Sequence, residues 1–319
     1  MTEKKRSLSG IKPTGTPHLG NYLGMIKPAI KMQATHQTFY FIADYHALTN
    51  IREPQSLKEY TYDLTATFAS LGMEFENHAF FRQSDIPEVT ELTWFLACLT
   101  SKGLMERAHA FKDASAKGQD VNMGLFSYPI LMASDILIYD SHVVPVGKDQ
   151  KQHLELTRDI AQKFNNDFGV DFFPEVEPLI FGTATRVMSL RDGTKKMSKS
   201  DPSDYSRINM TDNADAIAKK IRKAKTDPQS LPANVEKFEA RPEAANLMGL
   251  YADFSETSIE DVCNRFGGGE FSAFKKQLAD LAVAMLRPPS VPCASVRSGR
   301  RGRRDSRRRS DLLWLDGSG

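Results

Sequence analysis

The chain has 319 residues, 42 Lys and Arg against 40 Asp and Glu, 40% hydrophobic residues and three cysteines. That length suits two domains, or one large and one small, the composition excludes general disorder, and no run approaches the roughly 18 apolar residues that span a bilayer. Cys98, Cys263 and Cys293 form no C-x-x-C pattern and the start (residues 1–7) has no apolar segment behind it, which argues against a disulfide framework, a cysteine zinc site or a secretory signal and for the cytoplasm.

In chain order, Leu8-Ser9-Gly10-Ile11 reads as a short strand, followed by a loop rich in Gly, Pro and Thr. Residues 21–34 read as a helix with Tyr22, Leu23, Ile26 and Ile30 towards one face, and Pro28 inside it predicts a kink. Residues 39–43 form an aromatic strand, and 57–71 an amphipathic helix stopped by Gly72. A strand begins at 79–81, and Pro87 opens a helix through Leu99. Residues 128–139 read as a helix with Pro129 in its first turn, 142–146 as a strand and 149–164 as a long helix. Strands alternating with helices predict an α/β domain, a doubly wound parallel sheet of Rossmann type. After about Pro202 the pattern turns helical: 214–225, 244–254, 259–266 and 271–286, with no convincing strand between them. Gly267-Gly268-Gly269 has no Lys-Ser/Thr after it, so it reads as a helix stop rather than a phosphate cradle. The expected organisation is a catalytic domain over 1–205, a smaller all-helical domain over 206–286 and an atypical tail over 287–319.

Two loops carry candidate chemistry. Lys12-Pro13-Thr14-Gly15-Thr16-Pro17-His18-Leu19-Gly20-Asn21 joins the first strand to the first helix, where open α/β sheets bind ligands. Its glycines let backbone approach a bound group, the helix N-terminus favours phosphate, and His18 and Asn21 can donate hydrogen bonds. The plain alternative is a Gly/Pro-rich turn with an incidental histidine. Lys195-Lys196-Met197-Ser198-Lys199-Ser200 offers charge and hydroxyls to a polyphosphate and is placed to close over it. Its plain alternative is a solvated basic loop.

In this order and context, the two loops resemble the paired signatures of the class I aminoacyl-tRNA synthetases. A third stretch narrows the resemblance. Residues 128–139 (Tyr-Pro-Ile-Leu-Met-Ala-Ser-Asp-Ile-Leu-Ile-Tyr), followed by Val144-Pro145-Val146-Gly147-Lys148-Asp149-Gln150, look like the bacterial tryptophanyl-tRNA synthetases. The likeness extends from about Leu8 to Leu286.

The resemblance implies ATP and L-tryptophan as substrates, tRNA(Trp) as acceptor, a homodimer and no membrane partner. Mg2+ is expected to be held by the ATP phosphates, with no protein metal site. His18, Asn21, Lys196 and Lys199 match the groups that stabilise the phosphates as pyrophosphate departs. Lys12, Pro13, Thr14, Gly20, Gly147, Lys148, Asp149, Val187, Met197, Ser198 and Ser200 match further positions around ATP. Asp135 matches the aspartate that takes the indole N–H, a donor with no acceptor capacity. A lone aspartate on a helix would otherwise be expected in solvent. Met132, Val144, Val146 and Gln150 match the remainder of the tryptophan site, although the apolar three also suit plain core packing.

This chain departs from the pattern at several points. Lys12 stands where many members carry glutamine and adds a charge beside the nucleotide. Lys148 stands where glutamate is common, and His18 where threonine often occurs. A tyrosine-specific relative and an inactive RNA-binding paralogue remain as rival readings, against which stand Asp135 and the two intact loops. The end departs most. Residues 287–319 hold nine Arg and three Asp, a surplus of six positive charges that leaves the preceding part at −4 beneath an overall +2. This Arg-, Gly- and Ser-rich text reads either as a basic arm for RNA phosphates or as an out-of-frame segment. Apart from Leu312-Leu313-Trp314-Leu315 the tail lacks an apolar face for a packed helix pair, and the second reading is preferred because GC-rich genes often yield Arg/Pro/Ser/Gly-rich text out of frame.

Overall fold

A computed structural model of the chain describes residues 4–108, 111, 112, 116, 118, 121–145, 151–179 and 186–286. Five strands, β1 (Arg6–Ile11), β2 (Gln37–Ile42), β3 (Ala79–Arg82), β4 (Val143–Pro145) and β5 (Glu177–Leu179), pair in parallel in the order β3-β2-β1-β4-β5. This is the predicted doubly wound sheet, with β5 an addition that its sequence, Glu-Pro-Leu, did not announce. β1 lies beside β2 with Gly10 opposite Phe41 and Ile11 opposite Ile42. A Cβ at Gly10 would fall 2.4 Å from the Phe41 ring, so the strand must be bare there. Side chains alternate across the sheet: Tyr40 and Ile42 enter one apolar cluster, Phe39 and Phe41 the other.

Parallel strands need crossovers, and the crossover helices cover both faces. After β1 come α1 (Leu19–Asn21), a π turn (Tyr22–Ile26) and α2 (Lys27–Met32). The predicted effect of Pro28 takes this form: the turn widens just ahead of the proline, where the Lys27 N–H reaches back to the Tyr22 carbonyl. Next come α3 (Asp44–Ala47), α4 (Pro54–Ser70), α5 (Glu88–Leu99), α6 (Lys102–Glu106), α7 (Met123–Leu137) and α8 (Lys151–Phe168). Gly72, at φ +95°, follows the end of α4 as expected. Most boundaries move by one to three residues, and two move further. α7 starts five residues early, because Asn122 caps it by accepting the Leu125 N–H at 2.9 Å, and Pro129 therefore lies in its interior. α8 continues to Phe168 and stops at Gly169, whose φ of +62° suits a helix C-terminus.

A two-stranded antiparallel hairpin, β6 (Met188–Ser189) and β7 (Asp192–Lys196), stands apart from the main sheet. Four helices follow it: α9 (Ala214–Arg222), α10 (Pro242–Ser255), α11 (Ile259–Phe266) and α12 (Phe271–Leu286). Gly267 ends α11 and Gly268, at φ +78°, makes the turn, so the triple glycine is the helix stop its sequence suggested. One apolar cluster runs without a break from the sheet (Tyr40, Ile42, with Phe68 of α4) into these helices (Ile221, Leu247, Phe274, Leu278). The other cluster joins Leu8 and Phe41 to Ile130, Ile136, Leu154 and Ile160. Because strand order turns back between β1 and β4, a crevice opens at the C-terminal strand ends. The tail over 287–319 lies outside the described residues.

Candidate active site

The segment after β1 ends in a reciprocal cap. His18 Nδ1 accepts the Asn21 N–H at 3.3 Å, and Asn21 Oδ1 accepts the His18 N–H at 3.1 Å. These bonds use one polar atom of each side chain and leave His18 Nε2 and Asn21 Nδ2 as donors. Burial, reinforced by the charges of Lys199, Arg207 and Lys196, holds the imidazole pKa at about 4. At neutral pH the ring is therefore uncharged, and an Nδ1 that accepts from backbone fixes the proton on Nε2. Gly20 lets the His18 ring sit close: a Cβ there would lie 3.0 Å from His18 Cε1 and in ordinary contact, 3.6 Å, with Val187 Cβ.

The lysine segment is not wholly the loop that the sequence suggested. Lys195 and Lys196 lie on β7, because antiparallel pairing with Met188 extends to Lys196. Lys195 pairs with Asp192 at 3.2 Å, so its charge is engaged within the hairpin. Met197 is buried and its N–H donates to the Val187 carbonyl at 3.0 Å, which pins the start of the true loop. Ser198 and Ser200 face each other through their hydroxyls at 2.8 Å. Lys199 crosses to the other loop and donates to the Gly15 carbonyl at 2.8 Å, and burial lowers its pKa to about 8. Gly15 itself has φ +107°, which only glycine adopts without strain.

Backbone bonds stitch the His18 loop to residues 208–210, downstream of the lysine loop. The Leu19 N–H donates to the Ile208 carbonyl and the Met210 N–H to the Pro17 carbonyl, both at 2.8 Å, and His18 bridges Asn209 in antiparallel fashion. The Lys199–Gly15 bond and the charge of Lys196 felt by the His18 ring bring His18, Asn21, Lys196 and Lys199 into one assembly at the end of β1. Of the other expected nucleotide residues, Pro13 and Val187 are buried, and Thr14 donates its N–H to the Lys12 carbonyl at 2.9 Å. Lys12 holds its ammonium 5.4 Å from the centre of the Tyr128 ring, and burial lowers its pKa. Val146, Gly147, Lys148, Asp149 and Gln150 lie outside the described residues.

Asp135, on α7, is 2% exposed rather than facing solvent. Its carboxylate accepts from Gln83 Nε2 at 2.8 and 2.9 Å and from His46 Nε2 at 2.8 Å. Gln83 cannot turn its amide over without loss, since its Oε1 accepts the N–H groups of Tyr45 at 3.1 Å and His46 at 3.4 Å. Burial pushes the Asp135 pKa up, while the bonds from His46 and Gln83 oppose that rise. Two oxygens offer about four lone-pair directions and three are used, so one acceptor direction remains. Val144 is buried and Met132 half-buried in the apolar cluster on this side of the sheet. His46 also packs edge-on to Tyr128, with ring centroids 6.0 Å apart.

Sequence reasoning missed His46, Gln83 and Tyr128 as members of this group. A positional signal existed for the first two: each follows the C-terminal end of a parallel strand, β2 or β3, as Lys12 follows β1. The assembly therefore pairs a half of neutral histidine and lysines with a buried acceptor half built on Asp135.

Residues 1–287 match the family model described as tRNA synthetases class I (W and Y). A tryptophan–tRNA ligase of Brucella melitensis is 52% identical over 307 residues, covering 90% of this chain and 86% of the relative. The tryptophanyl-tRNA synthetase of Campylobacter jejuni complexed with ADP and tryptophan superposes with a TM-score of 0.74 at 38% identity, covering 89% of this chain and 86% of that one. The synthetase of Mycoplasma pneumoniae gives a TM-score of 0.76 at 32% identity, covering 89% of this chain and 86% of that one. With the signature loops assembled and the family matched over nearly all described residues, this chain belongs to the class I tRNA synthetases of the tryptophan and tyrosine group.

Proposed function

We propose that the chain is a tryptophan–tRNA ligase. L-Tryptophan reacts with ATP to give tryptophanyl-adenylate and pyrophosphate, and the tryptophanyl group then passes to the terminal ribose of tRNA(Trp). The observation that carries this reading is the buried acceptor of Asp135, held by Gln83 and His46, beside loops rich in phosphate-binding groups. An indole N–H needs an acceptor in apolar surroundings, and a site built around that bond discriminates far better than shape alone.

Chemistry follows from placement. A tryptophan carboxylate oxygen attacks the α-phosphorus, and the bond to pyrophosphate breaks in line. The neutral His18 donates from Nε2 to a phosphate oxygen, Asn21 donates from Nδ2, and Lys196 and Lys199 meet the charge that grows on the leaving pyrophosphate. No enzyme side chain acts as a nucleophile. Lys12, Pro13, Thr14, Gly20, Val187, Met197, Ser198 and Ser200 contribute to the nucleotide side, with Gly147, Lys148 and Asp149. Met132, Val144, Val146 and Gln150 complete the amino-acid side. Mg2+ enters on the ATP phosphates, where it neutralises charge during transfer.

We further read residues 1–205 as the catalytic domain and 206–286 as the helical domain that faces tRNA. A second copy docks on α5, where Trp94 and Phe95 are 71% and 65% exposed, an apolar pair that a lone chain would leave in water. Among the described residues no helix is long and apolar enough to cross a membrane, and the cytoplasm is the expected compartment. Incubating the protein with tryptophan, Mg-ATP and tRNA tests the function. Tryptophan-dependent pyrophosphate release followed by tryptophanylated tRNA is the expected result, and neither product appearing overturns the reading.

A further inference from the structure

The β6–β7 hairpin carries Lys196 and abuts the His18 loop, yet its outer edge is satisfied by a side chain from a helix 58 residues away in sequence. Met188 stands opposite Lys196 in a pair whose backbone groups point outward, away from β7. Asn246 of α10 meets both: its Oδ1 accepts the Met188 N–H at 2.9 Å, and its Nδ2 donates to the Met188 carbonyl at 3.0 Å. The carboxamide thus acts as a one-residue third strand, and Asn246 is only 9% exposed.

The rest of the hairpin is fixed to the same helix. A Cβ at Gly193 would fall 2.6 Å from backbone atoms of Pro242 and Glu243, so β7 lies flush on the first turn of α10. The Lys225 N–H donates to the Leu190 carbonyl at 2.7 Å, and its ammonium pairs with Glu243 at 2.7 Å. On its inner side the hairpin reaches the nucleotide assembly through Val187, which lies against Gly20 and accepts the Met197 N–H. A rigid line therefore runs from α10 through Asn246 and Met188 to Val187, Met197 and Lys196.

We propose that Asn246 is a positioning residue for adenylate formation, setting the height of the Val187–Met188 strand and hence of Lys196 over the His18 loop. This rests on the ligase reading above. It makes the helical segment a determinant of nucleotide geometry, whereas the Asp135 group hangs on α7 and the ends of β2 and β3.

The test uses the full chain with Asn246→Asp, which is nearly isosteric. It keeps an acceptor for the Met188 N–H and sets an oxygen against the Met188 carbonyl. Tryptophan-dependent ATP–pyrophosphate exchange, normalised to titrated active sites, is measured beside ATP affinity by calorimetry without amino acid. A displacement of a few tenths of an ångström to 1 Å predicts an ATP KM and Kd raised roughly tenfold, a lower kcat and an unchanged tryptophan KM. Gly193→Ala, which pushes β7 off α10 with Asn246 intact, should give the same ATP-selective signature. Lower melting temperature with ATP constants within about twofold of wild type shows a merely structural role and overturns the proposal. Equal changes in the ATP and tryptophan constants also overturn it. If wild type shows no tryptophan-dependent exchange, the ligase reading fails, and the calorimetric ATP constants still decide the role of Asn246.

Discussion

Replacing Asp135 with asparagine removes the carboxylate while keeping its volume. The carboxylate accepts three bonds at 2.8–2.9 Å from Gln83 and His46 and has one acceptor direction to spare. Gln83 is locked by its own acceptances from Tyr45 and His46, so its Nε2 continues to need an oxygen. His46 has more freedom. Its Nδ1 is buried without a hydrogen-bond partner among the described residues, so moving the proton there lets Nε2 accept from the new amide. The core thus adapts at the cost of one buried N–H without a partner, about 1–3 kcal/mol, and the ligand loses its charged acceptor. A hydrogen bond to a charged group contributes about 1.5–3 kcal/mol, and each 1.4 kcal/mol is about tenfold. Asp135→Asn should thus raise the tryptophan KM roughly ten- to 150-fold, with the ATP KM unchanged. Exchange kinetics at saturating ATP supply the measurement, and circular dichroism checks the fold. A tryptophan KM within about twofold of wild type would refute an indole acceptor at this position.

Burial holds the Lys199 pKa at about 8, below its ordinary 10.5, so kcat/KM for ATP should fall as pH rises through about 8. Lys199→Arg should move that fall out of range, and a flat profile from about pH 7 to 9 would contradict the assignment. The linked stability change has the opposite sense: the buried ammonium is the disfavoured form, so this group adds stability as pH climbs from about 8 towards 10.5. Lys12→Gln removes a charge lying over Tyr128, and losing a charged hydrogen bond to the nucleotide, about 1.5 kcal/mol, predicts an ATP KM raised roughly tenfold; identical ATP constants would show that Lys12 does not face the nucleotide. Trp94→Glu places a carboxylate on the exposed face of α5. Light scattering should report a dimer for wild type and a monomer for the variant, and a variant as dimeric as wild type removes α5 from the interface.

The alternation of strands and helices made the doubly wound sheet legible, because period and composition alone distinguish buried aromatic strands such as β2 from amphipathic helices. Two classes of feature were not legible. Glycine stops after α4 and α11 could be read, but two helix ends that turned on single residues were hidden: Asn122 draws α7 forward, and Gly169 rather than Phe164 ends α8. Pieces held by distant partners were hidden as well. The outer edge of the β6–β7 hairpin is bonded by Asn246, and β5 pairs with a parallel neighbour 34 residues earlier. The site divided in the same way. His18, Asn21, Lys199 and Asp135 stood in recognisable local strings. His46 and Gln83 come from separate strand ends, and only folding brings them onto Asp135.

Amino-acid choice is decided by the ratio of kcat/KM for tryptophan to that for tyrosine in ATP–pyrophosphate exchange by the purified chain. A buried carboxylate aimed at an indole N–H predicts a ratio of roughly 10⁴ or more in favour of tryptophan. A ratio near one, or one favouring tyrosine, would contradict it.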